Sequence, residues 1–120
     1  MKVNPYLSFN GNCVEAVALY EKAFNVKAVI EQEENLISHA EFEIGDYQLM
    51  LFDSPEPVKI GDNIMITIRF DKNEIELAKF AFETLAQSGE IIMPLEETSW
   101  SKCFGLLVDK FGINWNMCQS

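Results

Sequence analysis

Trp100-Ser-Lys-Cys-Phe-Gly-Leu-Leu-Val-Asp-Lys-Phe-Gly-Ile-Asn-Trp-Asn-Met117 reads as two short strands joined by a tight turn at Asp109-Lys110-Phe111-Gly112. Branched and aromatic residues flank a turn that ends in glycine, the pattern expected of a hairpin. Working back from it, Glu90 to Glu96 reads as a further strand, and Gly89 fits the stop of a helix that runs to about Ser88. That helix carries Ile75, Ala78, Phe82 and Leu85 on one face, with Asp71 and Asn73 competing to cap it and Glu74 three residues after Asp71. Asn63 to Phe70 ahead of it alternates branched residues as a strand does.

The same order is present once already in the first half. Val3 to Asn10 reads as a strand. Asn12 with Glu15 matches a capping box for a helix whose apolar side includes Cys13, Val17, Tyr20 and Phe24, and Asn25 suits a left-handed stop. Val26 to Glu34 reads as the next strand, followed by a hairpin of Ile37 to Ile44 and Tyr47 to Asp53 across Gly45-Asp46. Ser54-Pro-Glu-Pro57 then interrupts, because proline has no amide to give a ladder. Superposing Phe9 on Phe70 (70 − 9 = 61) also brings Asn12 onto Asn73 and Glu15 onto Glu76. The whole order β-α-β-β-β recurs, which marks a duplicated module.

Tyr6-Leu-Ser-Phe-Asn-Gly-Asn12, the Asn63-to-Ser88 phrase with its Gly89-Glu-Ile-Ile continuation, and the Trp100-to-Met117 segment together resemble the glyoxalase/bleomycin-resistance/dioxygenase group, the vicinal oxygen chelate superfamily. Within it the chain looks most like the PhnB-like branch. The resemblance covers essentially the whole chain. It implies an α+β fold of one domain, with two βαβββ modules (approximately 1–57 and 58–120) forming curled mixed sheets around a concave cleft, helices outside. It also implies a homodimer, since many relatives complete clefts or bury sheet edges across a two-fold.

Metal-using members of that group take one ligand from each of four strands. By the flanking phrases those positions fall on Pro5, Met50, Met65 and Asn116. None is an imidazole or carboxylate, and proline and methionine do not serve a hard or borderline cation. The expectation is therefore no metal and no cofactor.

Strand alternation assigns the lining without a metal. A two-residue Gly45-Asp46 loop sets Glu43 opposite Gln48, Glu41 opposite Met50 and His39 opposite Phe52. Met50 marks the cleft side by the resemblance, so His39, Glu41, Glu43, Gln48 and Phe52 share it, while Ala40, Phe42, Ile44, Leu49 and Leu51 pack under a helix. Likewise Met65 brings Thr67 and Arg69, and Asn116 brings Asn114. His39 with Glu41 two residues away would make a base and its partner. Arg69, the one arginine, would grip a carboxylate or phosphate in a forked contact. Trp100 would cap the cleft or stack on a ligand, whereas Phe104 and Trp115 read as core. Blander readings stand beside these: His39 satisfying only a cross-strand hydrogen bond, Arg69 only pairing with Glu41 or Glu43, and Trp100 only filling a core or subunit contact.

Composition narrows the classes. Nineteen acidic against nine basic residues give a formal net charge of −10, which repels nucleic acid and anionic membrane surfaces. No leader, membrane span or disulfide framework is visible, and three scattered cysteines suit the cytoplasm. The six glycines form no G-x-G pair, so the nucleotide loop that a demethylubiquinone-methyltransferase label would require is missing. Three functions then compete. The first is a binding protein for a small organic ligand, as in bleomycin resistance. The second is a metal-independent or atypical-metal isomerase, lyase or dioxygenase using His39 and Glu41 as acid and base. The third is an interaction module with a vestigial cleft.

Overall fold

The computed structural model describes residues 1–120 and divides into two compact units, Met1–Lys59 and Ile60–Ser120. The first contains β1 (Tyr6–Phe9), α1 (Cys13–Phe24), β2 (Val29–Glu33), β3 (Leu36–Ile44) and β4 (Tyr47–Asp53). The second contains β5 (Ile66–Phe70), a 3₁₀ turn (Lys72–Glu74), α2 (Ile75–Leu85), β6 (Glu90–Glu96), β7 (Phe104–Val108) and β8 (Asn114–Gln119). Each unit builds a four-stranded mixed sheet of the same topology, β1-β4-β3-β2 and β5-β8-β7-β6, whose first strand runs parallel to its last. The α+β architecture of two βαβββ modules is as the pattern implied.

In the first unit the buried side of the sheet is Ala40, Phe42, Leu49 and Leu51, against which α1 lays Cys13, Ala16, Val17, Tyr20 and Ala23. Tyr20 and Phe42 meet with ring centroids 6.4 Å apart. Burying a ring such as Phe42 is worth about 1.5–3 kcal/mol. In the second unit Leu107, Trp115 and Met117 form the buried side, and Ala78, Ala81, Phe82 and Leu85 of α2 are buried with them. Phe82 lies over Gly105, where an added Cβ would come within 2.7 Å of its ring.

The β3–β4 register is the one that alternation and the two-residue turn imply, with Glu43 beside Gln48 and Glu41 beside Met50. Gly45 alone of the turn pair takes positive φ, +61°, as the first central residue of a type II′ turn must. The ladder ends at Ala40↔Leu51, so the expected His39–Phe52 pair lies beyond it. Asn25 adopts the expected left-handed stop of α1, φ 52°.

Several expectations need correction. The strand expected from Val3 starts at Tyr6, where the ladder with β4 begins at Met50. The strand expected from Val26 starts at Val29, because Ala28 turns back to donate its N–H to Glu21 Oε2. The one expected from Asn63 starts at Ile66, opposite Trp115, since the partner strand β8 begins only at Asn114. Asn12 makes no side-chain cap on α1. Asp53 replaces it from the end of β4: its Oδ1 accepts the Cys13 N–H at 3.0 Å and its Oδ2 the Ile37 N–H at 2.9 Å. One carboxylate thus joins the starts of α1 and β3 to the end of β4. In the second unit the capping box does form, between Asp71 and Glu74.

Helix α2 stops at Leu85 rather than near Ser88, and Ser88 is the residue with positive φ, 60°. Gly89 is glycine for another reason: the backbone of Val108 and Asp109 leaves no room there for a Cβ.

Cys13 is fully buried, and burial together with the Asp53 carboxylate pushes its thiol up to about 12. Burial also raises the Cys103 thiol. Cys118 is half-buried. Because only the thiolate alkylates, iodoacetamide at pH 8 is expected to label Cys118 well ahead of Cys13 in the folded protein. Equal labelling, read by peptide mass mapping, would contradict the burial of Cys13. The folded-state value is raised, so the stability contributed by neutral Cys13 is complete below pH 9 and is lost as pH rises from there toward 12.

Candidate functional site

The opposite face of the first sheet, the one α1 does not cover, carries a chain of polar contacts. Tyr6 sits on β1 beside Met50 of β4, and Glu41 sits beside Met50 from β3, so all three share this face. His39 lies two residues before Glu41 on the same strand and opposite Glu31 of β2. The Tyr6 hydroxyl is 2.8 Å from His39 Nδ1, and His39 Nε2 is 3.0 Å from Glu41 Oε1. Tyr6 also stands edge-on to His39, centroids 5.6 Å apart, and to Phe52, 5.0 Å apart. The His39 and Glu41 side chains are about one-third exposed, 30% and 36%.

His39, Glu41, Glu43, Gln48 and Phe52 thus occupy one face, as alternation required. Glu43 and Gln48 lie farther along it, beside a shallow depression of ≈ 220 Å³ whose lining includes Lys2 and Tyr47. The residue that sequence reasoning missed is Tyr6. Its signal was the parallel pairing of the first strand with the fourth, which makes Tyr6, one residue beyond Pro5, the side-chain neighbour of Met50.

In the second unit the corresponding face holds Thr67 beside Asn116 and Arg69 beside Cys118. The Thr67 hydroxyl donates to Asn116 Oδ1. Arg69 is exposed and has no ion pair within its unit. Asn114 gives its Nδ2 to the Gly61 carbonyl at 3.1 Å and ties down the segment ahead of β5. Trp115 is core, as expected. Phe104 is not: it pairs with Cys118 on the helix-free face, where Trp100, 65% exposed, meets it edge-on at 5.6 Å. Thr98 shapes the loop carrying Trp100 by accepting the Trp100 and Ser101 amides on its Oγ1.

The donors at the four positions expected for a metal do not fit one. Pro5 has no side-chain donor, and its carbonyl receives the Met50 N–H. Met50 and Met65 offer thioethers, and the Asn116 carbonyl oxygen already accepts the Thr67 hydroxyl. No group of three or more His, Cys, Asp or Glu side chains converges as a metal site would need.

Two mixed βαβββ sheets, each helix-backed on one side, define a glyoxalase-type protein, and the Glyoxalase/Bleomycin resistance protein/Dioxygenase superfamily model matches residues 2–117. The chain belongs to that superfamily. It is 31% identical to protein YjdN of Escherichia coli strain K12, over 96% of this chain and 92% of YjdN. Its fold is similar to that of protein PA1353 from Pseudomonas aeruginosa, with TM-score 0.85 and 29% identity over 100% of this chain and 98% of the other. A PhnB protein from Bacillus cereus is also similar, with TM-score 0.80 and 26% identity over the full length of both. No helix is long and apolar enough to cross a membrane.

Proposed function

We propose that this chain binds a small organic molecule against its helix-free sheet faces, without a divalent metal at the family's usual positions. The observation that carries this reading is the Tyr6–His39–Glu41 chain beside Phe52: a few convergent polar groups next to an aromatic wall. Gln48 adds an amide on the same face of the first unit, and on the second unit's own helix-free face Arg69, Thr67, Asn116 and Trp100 are the candidate polar and aromatic contacts. The chain acts as a homodimer in the cytoplasm; Val29 and Ile30 exposed on the edge strand β2 and three unpaired thiols support that reading.

Native mass spectrometry of protein purified without added metal tests this reading. A dimer carrying a small-molecule mass, together with a rise in melting temperature on ligand addition that survives chelator, is the expected result. Saturation to a hundred times Kd adds about 2.7 kcal/mol to native-state stability. A tightly held metal in each chain would overturn the metal-free reading.

The 3.0 Å His39–Glu41 contact supports a second reading, an acid–base enzyme of the isomerase or lyase kind. There, His39→Ala abolishes turnover while leaving the melting temperature nearly unchanged.

A further inference from the structure

We infer that the group presented to a ligand on the first unit's helix-free face is the Tyr6 phenol, activated from behind by His39 and Glu41, so that Tyr6 takes or gives the proton. The inference deepens the acid–base reading, on which it rests, by changing which atom meets the ligand.

Hydrogen-bond bookkeeping assigns each role. A carboxylate only accepts, so the His39 Nε2 that lies 3.0 Å from Glu41 Oε1 must carry a hydrogen. In neutral imidazole the other nitrogen is then an acceptor, so the Tyr6 hydroxyl must donate to Nδ1 across 2.8 Å. Both ring nitrogens of the single histidine are thereby occupied, and His39 has none left to offer a ligand. Tyr6 differs: it is 50% exposed, and with its proton pointing inward the lone pairs of Oη face outward. The other charged groups on this face are Glu31, opposite His39 on β2, and Glu43, two residues beyond Glu41.

The step balances within the chain. The ligand's acidic O–H or C–H bond breaks, and its proton goes to Tyr6 Oη as the phenolic proton passes to His39 Nδ1. The ligand is left as an anion and His39 as an imidazolium held by Glu41. Reversal with delivery to a different ligand atom completes an isomerisation. The fitting ligand class is a small molecule with a weakly acidic O–H or C–H next to an electron-withdrawing group. Glu41 is a positioning residue in this scheme, because it fixes the tautomer and touches no ligand.

The test needs no substrate. N-acetylimidazole transfers its acetyl group to a phenol oxygen, and the phenolic proton ends on the departing imidazole. The chain has three tyrosines: Tyr20 is fully buried, and Tyr47 is 72% exposed and serves as an internal reference. At pH 8, Tyr6 should acetylate faster than Tyr47 by on the order of tenfold or more, although it is the less exposed of the two. His39→Gln keeps an acceptor beside the phenol but no base, and should bring Tyr6 to or below the Tyr47 rate with Tyr47 unchanged. A Tyr6 rate no higher than that of Tyr47, or one insensitive to His39→Gln, overturns the inference.

A second readout guards against a misfolded variant. In the unaltered protein ¹⁵N NMR of the lone histidine should show the Nε2–H tautomer, with Nδ1 moving toward a free pyridine-type shift in Tyr6→Phe. An Nδ1–H tautomer overturns the relay. Failure to find any turnover would sink the enzyme reading and leave both results intact.

Discussion

Asp109→Ala is expected to be the most damaging single polar substitution in the second unit, costing about 3–5 kcal/mol. Asp109 is 3% exposed in the loop between β7 and β8, and its carboxylate serves three donors. Oδ1 accepts the amides of Phe111 at 2.9 Å and Ile113 at 3.0 Å, and Oδ2 accepts the indole Nε1–H of Trp115 at 2.9 Å. Trp115 is 1% exposed, so the indole hydrogen has no water to turn to when the acceptor is gone. An unsatisfied buried donor costs about 1–3 kcal/mol, and this substitution leaves at least two. A domain of this size has only about 5–15 kcal/mol in hand, and the melting temperature should fall by roughly 10–20 °C. Asp109→Asn retains one carbonyl oxygen and should lose about half as much. Thermal unfolding followed by Trp fluorescence reads both variants. A loss under about 1 kcal/mol for Asp109→Ala would show that the loop re-forms without its carboxylate.

Gly89→Ala should cost about 2–4 kcal/mol, although the position does not require a left-handed backbone. A Cβ there would come 2.3 Å from the Val108 carbonyl oxygen and 2.9 Å from two backbone atoms of Asp109. The obstructing atoms are main chain, held by the ladder in which Glu90 pairs with Val108, so no side-chain rotation relieves the clash. The variant must shift β6 away from β7. Gly61→Ala is the control, since its Cβ would meet only the Asn63 Oδ1, at 3.6 Å. That change should be neutral or stabilising by a few tenths of a kcal/mol. Urea unfolding of the two variants side by side settles the comparison, and equal midpoints would show that the β6–β7 edge yields freely.

The split of β3 into a polar side with His39, Glu41 and Glu43 and an apolar side with Ala40, Phe42 and Ile44 was legible because side chains alternate every residue. The Glu41–Met50 register was legible because a two-residue Gly45-Asp46 loop leaves one pairing. Both are local constraints. The repeated β-α-β-β-β order is likewise written in caps, turns and periods, and both sheets reproduce it.

Lateral neighbours were not legible. Tyr6 and His39 are 33 residues apart, and only the parallel seating of β1 against β4 brings the phenol to the imidazole. Asp53 reaches Cys13 across 40 residues to cap a helix whose own Asn12 matched the capping pattern. A local motif competes on equal terms with any distant acceptor that packing places nearer the free amides, and here packing favours the distant one. The sequence by itself determined the two modules, the β3–β4 register and the two faces of that hairpin. Tertiary structure decided which polar atoms meet, because a hydrogen bond depends on ångström-scale placement that periodicity does not encode.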